Sequence, residues 1–166
     1  MPPIGVSRAY IGLGANLGDP SATLRAAVAE LDRAGGTVAA VSPVYRTRPV
    51  GVTDQPPFLN AVAALLTPLR PDALLELLLA VEDAHGRARA ERWGPRTLDL
   101  DLIWYEGVER KDERLVLPHP RAHEREFVLR PLCDIDPEVV LRGLPVREWL
   151  ADLEPQGVEP AGIALM

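Results

Sequence analysis

The segment Asp99–Tyr105, DLDLIWY, alternates acid with leucine before becoming wholly apolar. A period of two is the period of a β-strand, where residues i and i+2 share a face. Read as a strand, it sets Asp99 and Asp101 side by side, about 6.5–7 Å apart along the chain, and turns Leu100 and Leu102 into a core. The fold must therefore contain a sheet with at least one buried face. Two carboxylates that close repel each other, so something positive is expected between them.

Other segments fill in the order around that strand. RAYIGLGA, Arg8–Ala15, alternates with Ala9, Ile11 and Leu13 on one side and reads as a first strand. A helix follows, with Asp19 as N-cap, Pro20 at its first position, and Leu24, Ala27, Val28 and Leu31 on one face before Gly35 and Gly36 stop it. Thr37–Thr47 is a second extended segment in which Pro43 signals an edge or a bulge, and RPVGVTDQPP, Arg48–Pro57, can only be a loop. Phe58–Leu66 reads as a third strand. A Leu-rich helix opens near Pro71 and closes at Gly86, its apolar residues nearly encircling it, which predicts deep burial. After the Asp99 strand come a polar turn, EGVERKDER, and a short extended piece, LVLP; the residues from about 152 to 166 are rich in Pro and Gly and are expected to fray. Strand, helix, strand, strand, helix, strand is the order of the split βαβ of α+β ferredoxin-like folds, with helices against a mostly antiparallel sheet.

At 166 residues the chain is long enough for one proper core and short for two, so a single domain spanning 1–166 is expected. No basic leader with an apolar stretch opens it, and nowhere do about 18 apolar residues run together, so neither export nor membrane spanning is expected. A lone cysteine, Cys133, cannot pair internally, which fits a cytoplasmic setting and a small hydrophobe in a core segment. The formal net charge of -6 weighs against nucleic-acid binding. Nine of the eighteen Lys and Arg residues nevertheless lie between Gly86 and Arg125, and eight of those nine are Arg. A local cationic cluster in an acidic protein points to a small anionic ligand.

That cluster changes the reading of the acid pair. A bare D-x-D is most simply the polar side of an edge strand with Arg96 as an ion-pair partner. Here Arg87, Arg89, Arg92 and Arg96 precede it and Arg114, Arg121 and Arg125 follow it, with Arg121 the first candidate for an ordinary surface pair. Guanidinium forks hold phosphate oxygens in bidentate fashion. Mg²⁺ is the matching cation for the acids, since one or two carboxylates hold it while water and phosphate oxygens fill the remaining sites. Familiar phosphate loops are missing: GLGANLG, Gly12–Gly18, has its third glycine misplaced for G-x-G-x-x-G, and no G-x-x-x-x-G-K-[ST] exists. Those glycines read as devices for close packing and a tight turn. Phe58 and Asn60, also i and i+2 on a strand, put an aromatic face beside an amide that needs either a ligand edge or a backbone partner. Trp93 is either the aromatic anchor of a loop or a core residue over the second helix, and Phe127 offers a second stacking surface.

At this point the residues resemble a known family. RWGPRTLDLDLI, Arg92–Ile103, is similar to the signature of the 6-hydroxymethyl-7,8-dihydropterin pyrophosphokinases of the folate pathway. The likeness continues through YIGLGANLGD, SPVYRTRPVGVTDQPPFLNAV and LPHPRAHEREFVLRPL, in collinear order over about residues 8 to 140. The resemblance implies a ferredoxin-like α/β/α sandwich that moves the β,γ-pyrophosphoryl group of ATP to the pterin hydroxymethyl and releases AMP; a monomer is expected. It implies two Mg²⁺ on Asp99 and Asp101, and a loop carrying Arg87, Arg89, Arg92 and Arg96 that closes over ATP. Glu82, Leu102, Arg114, His119 and Arg125 fall on the nucleotide side. Thr47, Val50, Phe58, Asn60, Trp93 and Phe127 fall on the pterin pocket, the ring stacking on Trp93 and Phe127. Arg87, Arg96 and Asp101 are expected to carry catalysis, and no side chain stands out as a general base. Val116 and Pro120 stand where some members place hydroxyl groups near ATP, so those two contacts are not carried over. His85 and His123 are expected to be ordinary surface histidines. A D-x-D nucleotidyltransferase releasing pyrophosphate is the competing enzyme class.

Overall fold

A computed structural model describes residues 5–47, 56–86 and 97–166. Its first strand, β1 (Ser7–Ala15), leads into α1 (Pro20–Glu30). Asp19 caps that helix by accepting the Ala22 N–H at 3.2 Å, with Pro20 in the first turn, as the sequence predicts. A wider π turn, Leu31–Gly35, ends it. The second extended segment is split into β2 (Thr37–Val41) and β3 (Tyr45–Thr47), and β4 (Phe58–Thr67) runs back beside both. Gly36, at φ 136°, makes the turn into β2. A Cβ there would sit 2.1 Å from the Leu66 carbonyl oxygen, so this crossing of the chain over β4 requires glycine.

The break between β2 and β3 falls at Pro43, which has no N–H to give. Ser42 takes over locally: its N–H donates to the Val62 carbonyl at 2.9 Å, and its hydroxyl accepts the Val62 N–H at 2.9 Å. The register slips by one residue within β2, between Val38 and Ala40, and again before β3, so both pieces stay on β4.

After β4 come α2 (Pro71–Ala84) and β5 (Asp99–Tyr105), then a small hairpin of β6 (Arg110–Lys111) and β7 (Val116–Leu117). Next are α3 (Glu126–Ile135), the hairpin β8 (Val140–Leu141) and β9 (Leu144–Pro145), α4 (Val146–Asp152) and β10 (Val158–Pro160). The main sheet runs β10-β3-β4-β1-β5, with β2 also on β4, and every pairing is antiparallel. Counted as six units, this is the expected strand, helix, strand, strand, helix, strand, and both faces of the sheet carry helices. Ala9, Ile11, Leu13, Leu59, Ala61, Ala63, Leu65, Leu100 and Leu102 pack with Leu24, Leu74 and Leu78 of α1 and α2. Tyr10, Val62, Ala64 and Ile103 pack with Val128, Leu129 and Leu132 of α3 and Val146 of α4. In β5 a bulge opposite Tyr10 and Ile11 ends the strict alternation after Ile103: Ile103 and Trp104 both lie on the α3 side, and Tyr105 returns to the α1–α2 side.

Three expectations need correction. α2 is buried on one face only, through Leu74, Leu78, Val81 and Glu82, while Leu79 is 44% exposed; a nearly all-apolar helix can still be a surface helix when one sheet face is all it covers. Residues 152–166 are not a frayed tail: β10 pairs with β3, the Ala161 N–H donates to Val44 and the Val44 N–H to Ile163, and Leu165 is buried in the α1–α2 core. Gln156 pins the approach by exchanging hydrogen bonds with Glu126, its N–H to Glu126 Oε1 at 2.7 Å and the Glu126 N–H to its Oε1 at 2.9 Å. His123 is no plain surface residue either, being 15% exposed with its ring tilted against Trp149 at 4.8 Å between centroids.

Candidate active site

The α3 face of the sheet is covered at one end by α3 and α4; at the other, no described helix lies on it. Gly12 and Gly14 of β1 lie on that face, paired with Asp101 and Asp99 of β5 on one side and with Val62 and Asn60 of β4 on the other. With no side chains on the middle strand, a cleft opens between the acids and the amide, walled by Phe127 and Val128 of α3. The glycines leave room for it: a Cβ on Gly14 would come within 2.9 Å of Asn60 Nδ2, and one on Gly12 within 3.2 Å of Ile103 Cδ1, so those side chains would have to shift. The close packing read from the sequence is therefore present, and Gly18, at φ 63°, supplies the turn. What the sequence reading missed is that the two strand glycines form the floor of the cleft. A G-x-G one strand away from a D-x-D, on the same face, was the available signal. A larger groove, lined by Trp104, Arg110, Lys111 and Arg142 among others, lies between the two small hairpins, but holds none of the expected residues; the acids and the glycine floor mark the smaller cleft as the site.

Asp99 and Asp101 share the cleft face, as the alternation requires, while Leu100 and Leu102 are buried on the other. Asp101 keeps 36% of its side chain exposed, with His119 Nε2 4.0 Å from its Oδ1. His119 reaches this position because its own N–H donates to the Ile103 carbonyl of β5 at 2.8 Å. Its Nδ1 accepts the Arg121 N–H at 3.2 Å, so the neutral ring carries its proton on Nε2, facing Asp101. Burial, with the nearby Arg125 charge, pushes His119 down to about 4 against the opposing pull of Asp99, so the ring is neutral at ordinary pH. Arg125, the residue before α3, sets its guanidinium over the Phe127 ring, 5.6 Å from the centroid.

On the other side of the cleft, Asn60 is buried on β4, and its Oδ1 accepts the Thr47 hydroxyl at 2.9 Å. Its carbonyl partner is thus a side chain on the neighbouring strand, neither of the two partners weighed from sequence. Phe58 lies one pleat before Asn60 on the same strand, opposite Thr47.

The structure therefore brings together Asp99, Asp101, His119, Arg125, Phe127, Asn60 and Thr47. Leu102 is 4% exposed, leaving only its main chain for contact. Arg114 is drawn to α2 instead, with Nη2 2.8 Å from Glu76 and Nε 3.4 Å from Asp72. Arg121 pairs with Glu124 on the surface, as expected of it. Glu82 is buried on α2, its Oε2 accepting the Leu100 N–H at 2.7 Å. Val50, Arg87, Arg89, Arg92, Trp93 and Arg96 lie outside the described residues.

The carboxylate oxygens suit a hard cation such as Mg²⁺. Among the described residues no three His, Cys, Asp or Glu side chains gather into a complete metal cage, so an ion here would draw further ligands from water or phosphate. No helix of the described residues is long and apolar enough to cross a membrane.

A 2-amino-4-hydroxy-6-hydroxymethyldihydropteridine pyrophosphokinase of Methylorubrum extorquens is 52% identical over 155 residues, 93% of this chain and 98% of that protein. One from Bacillus subtilis is 48% identical over 132 residues, 79% of each. Among solved structures, a Plasmodium falciparum HPPK-DHPS chain with pteroate superposes with a TM-score of 0.71 at 13% identity, over 88% of this chain and 42% of that one, a likeness of fold. This chain thus spans less than half of that longer polypeptide. The family model for 7,8-dihydro-6-hydroxymethylpterin-pyrophosphokinase (HPPK) matches residues 10–137, and the chain belongs to that family.

Proposed function

We propose that this protein transfers the β,γ-pyrophosphoryl group of ATP to the hydroxymethyl group of 6-hydroxymethyl-7,8-dihydropterin, releasing AMP, in folate synthesis. The observation that carries the reading is the cleft itself: two half-exposed carboxylates on β5 face a buried amide and an aromatic ring across a floor of glycine. One end suits a metal-bound phosphate chain, the other a flat heterocycle with hydrogen-bonding edges.

Asn60, oriented by Thr47, reads the heterocycle edge, and Phe127 offers its ring for stacking, with Arg125 above it joining the two halves of the site. The pterin hydroxyl oxygen attacks the β-phosphorus in line; the bond from that phosphorus to the oxygen bridging it to the α-phosphorus breaks, and AMP departs with that oxygen. The hydroxyl proton leaves to solvent. Asp99 and Asp101 would hold two Mg²⁺, whose chemistry is to offset the charge of the polyphosphate. His119, neutral and donating from Nε2, adds hydrogen bonding without a full positive charge, and Arg125 adds the charge. Arg87, Arg89, Arg92 and Arg96 are assigned to the polyphosphate, with Arg87 and Arg96 on the transferring group, and Trp93 to the second face of the pterin; these roles rest on the resemblance. Most of the acceleration then comes from positioning and charge stabilisation.

Nucleotide product analysis tests this directly. Purified protein with ATP, Mg²⁺ and the pterin should yield AMP only when the pterin is present. Pyrophosphate or ADP in its place would overturn the proposal, pyrophosphate in favour of nucleotidyl transfer.

A further inference from the structure

We propose that Glu82 is a positioning residue, a buried carboxylate on α2 that holds the outer edge of β5 and so fixes the Asp99–Asp101 pair for metal. This rests on the reading of that pair as the metal-holding end of the site.

Among the described residues, β5 is the last strand of the sheet and pairs only with β1. No described strand bonds the main-chain groups on its other side, and an unanchored edge strand is free to fray. One of them, the Leu100 N–H, lies between the two acids in sequence and donates to Glu82 Oε2 at 2.7 Å. Glu82 is 2% exposed, although it continues a face formed by Leu74, Leu78 and Val81, where a leucine would complete the pattern. Placing a carboxylate there costs free energy unless its oxygens are bonded, and a bond to a charged acceptor is about twice as strong as a neutral one. The anchor sits between the two carboxylates in sequence, at the main-chain unit that joins them. Release of Leu100 would let the two carboxylates drift in spacing and direction, weakening metal binding while leaving the Asn60 end of the cleft untouched on β4.

The test uses the whole chain as Glu82→Ala and Glu82→Gln, the glutamine keeping an oxygen that can accept the Leu100 N–H. Two readouts need no turnover: amide hydrogen exchange at Leu100, and Mn²⁺ binding followed by electron paramagnetic resonance with a non-hydrolysable ATP analogue. In Glu82→Ala, protection of Leu100 should fall and the Mn²⁺ dissociation constant rise by about tenfold or more, the size seen when outer partners of metal ligands are removed. The KM for the pterin should stay within about twofold, and Glu82→Gln should recover most of both losses. If Glu82→Ala fails to fold, Glu82→Met fills the same space without an acceptor and carries the same expectations. Unchanged Leu100 protection would overturn the proposal, as would lost protection with unchanged Mn²⁺ affinity. A raised KM for ATP at unchanged Mn²⁺ affinity would also overturn it, making Glu82 a nucleotide contact instead. Should the wild type release no AMP, the pyrophosphokinase reading falls by itself, and the exchange and Mn²⁺ measurements still decide the role of Glu82.

Discussion

The α1–α2 side and the α3–α4 side of the sheet are built from the same strands, yet one is sealed and the other is half open. Under α1 and α2, β1 contributes Ala9, Ile11, Leu13 and Ala15 in unbroken sequence, all buried. On the opposite side the same strand contributes Tyr10, which packs on Trp104 at 5.1 Å between ring centroids, and then Gly12 and Gly14, which fill nothing. The difference teaches how one sheet can be both scaffold and site. Each strand of the cleft is anchored by the side chains that point away from it, so the face that binds can give up packing without loosening the strand.

The largest effect that would break this contrast is expected at Asp101→Ala: AMP formation should fall by about a thousandfold or more, the scale of losing a charge-stabilising group, while the melting temperature stays within a few degrees. A variant that unfolded instead would mean that the open face is also part of the scaffold. Leu65→Ala tests the sealed face. Leu65 is fully buried against the α1–α2 side, so chemical denaturation should show a loss of about 2–5 kcal/mol with unchanged kcat for the folded fraction.

A smaller effect should appear in acid. His119 titrates near 4 in the folded chain and at about 6.5 when unfolded, so between these values the unfolded state binds more protons. Its contribution is complete above pH 6.5 and disappears as pH falls toward 4. Urea unfolding of the wild type should accordingly lose on the order of 2 kcal/mol across that window relative to His119→Asn; parallel curves would show that burial of this ring is not felt. The smallest change is expected at Gln156→Ala, about 1 kcal/mol, read as faster amide exchange in β10 with kcat unchanged.

Elements whose stabilising partners are encoded by their own periodicity were legible in the sequence. The alternation of Asp99–Leu102 placed both acids on one face, Asp19 and Pro20 marked the start of α1, and Pro43 marked an irregularity in the second extended segment, though not its division into β2 and β3. What could not be read depends on partners far away. β10 is held by β3 and by the pairing of Gln156 with Glu126, 30 residues apart, and no local pattern announces that. The composition of α2 said apolar, but how many sides a helix buries depends on how many neighbours it meets. For the site, the residue types pointed to phosphate and metal chemistry and the family likeness assigned roles. The emptiness between the acids and Asn60 is a property of two side chains that do not exist, and it became visible only when three strands were aligned.

The two margins of the sheet are finished in different ways, and this bears on self-association. A bare strand margin invites another chain to add to it, and a hydrophobic one is a seed for aggregation. On the β3 side the margin is taken by β10, a three-residue strand ending in Pro160, too short and too poor in donors to recruit a further strand. On the β5 side a helix-borne carboxylate occupies the Leu100 N–H without adding a strand. Among the described residues, the second solution satisfies a donor at the margin without placing a further strand beside the two aspartates.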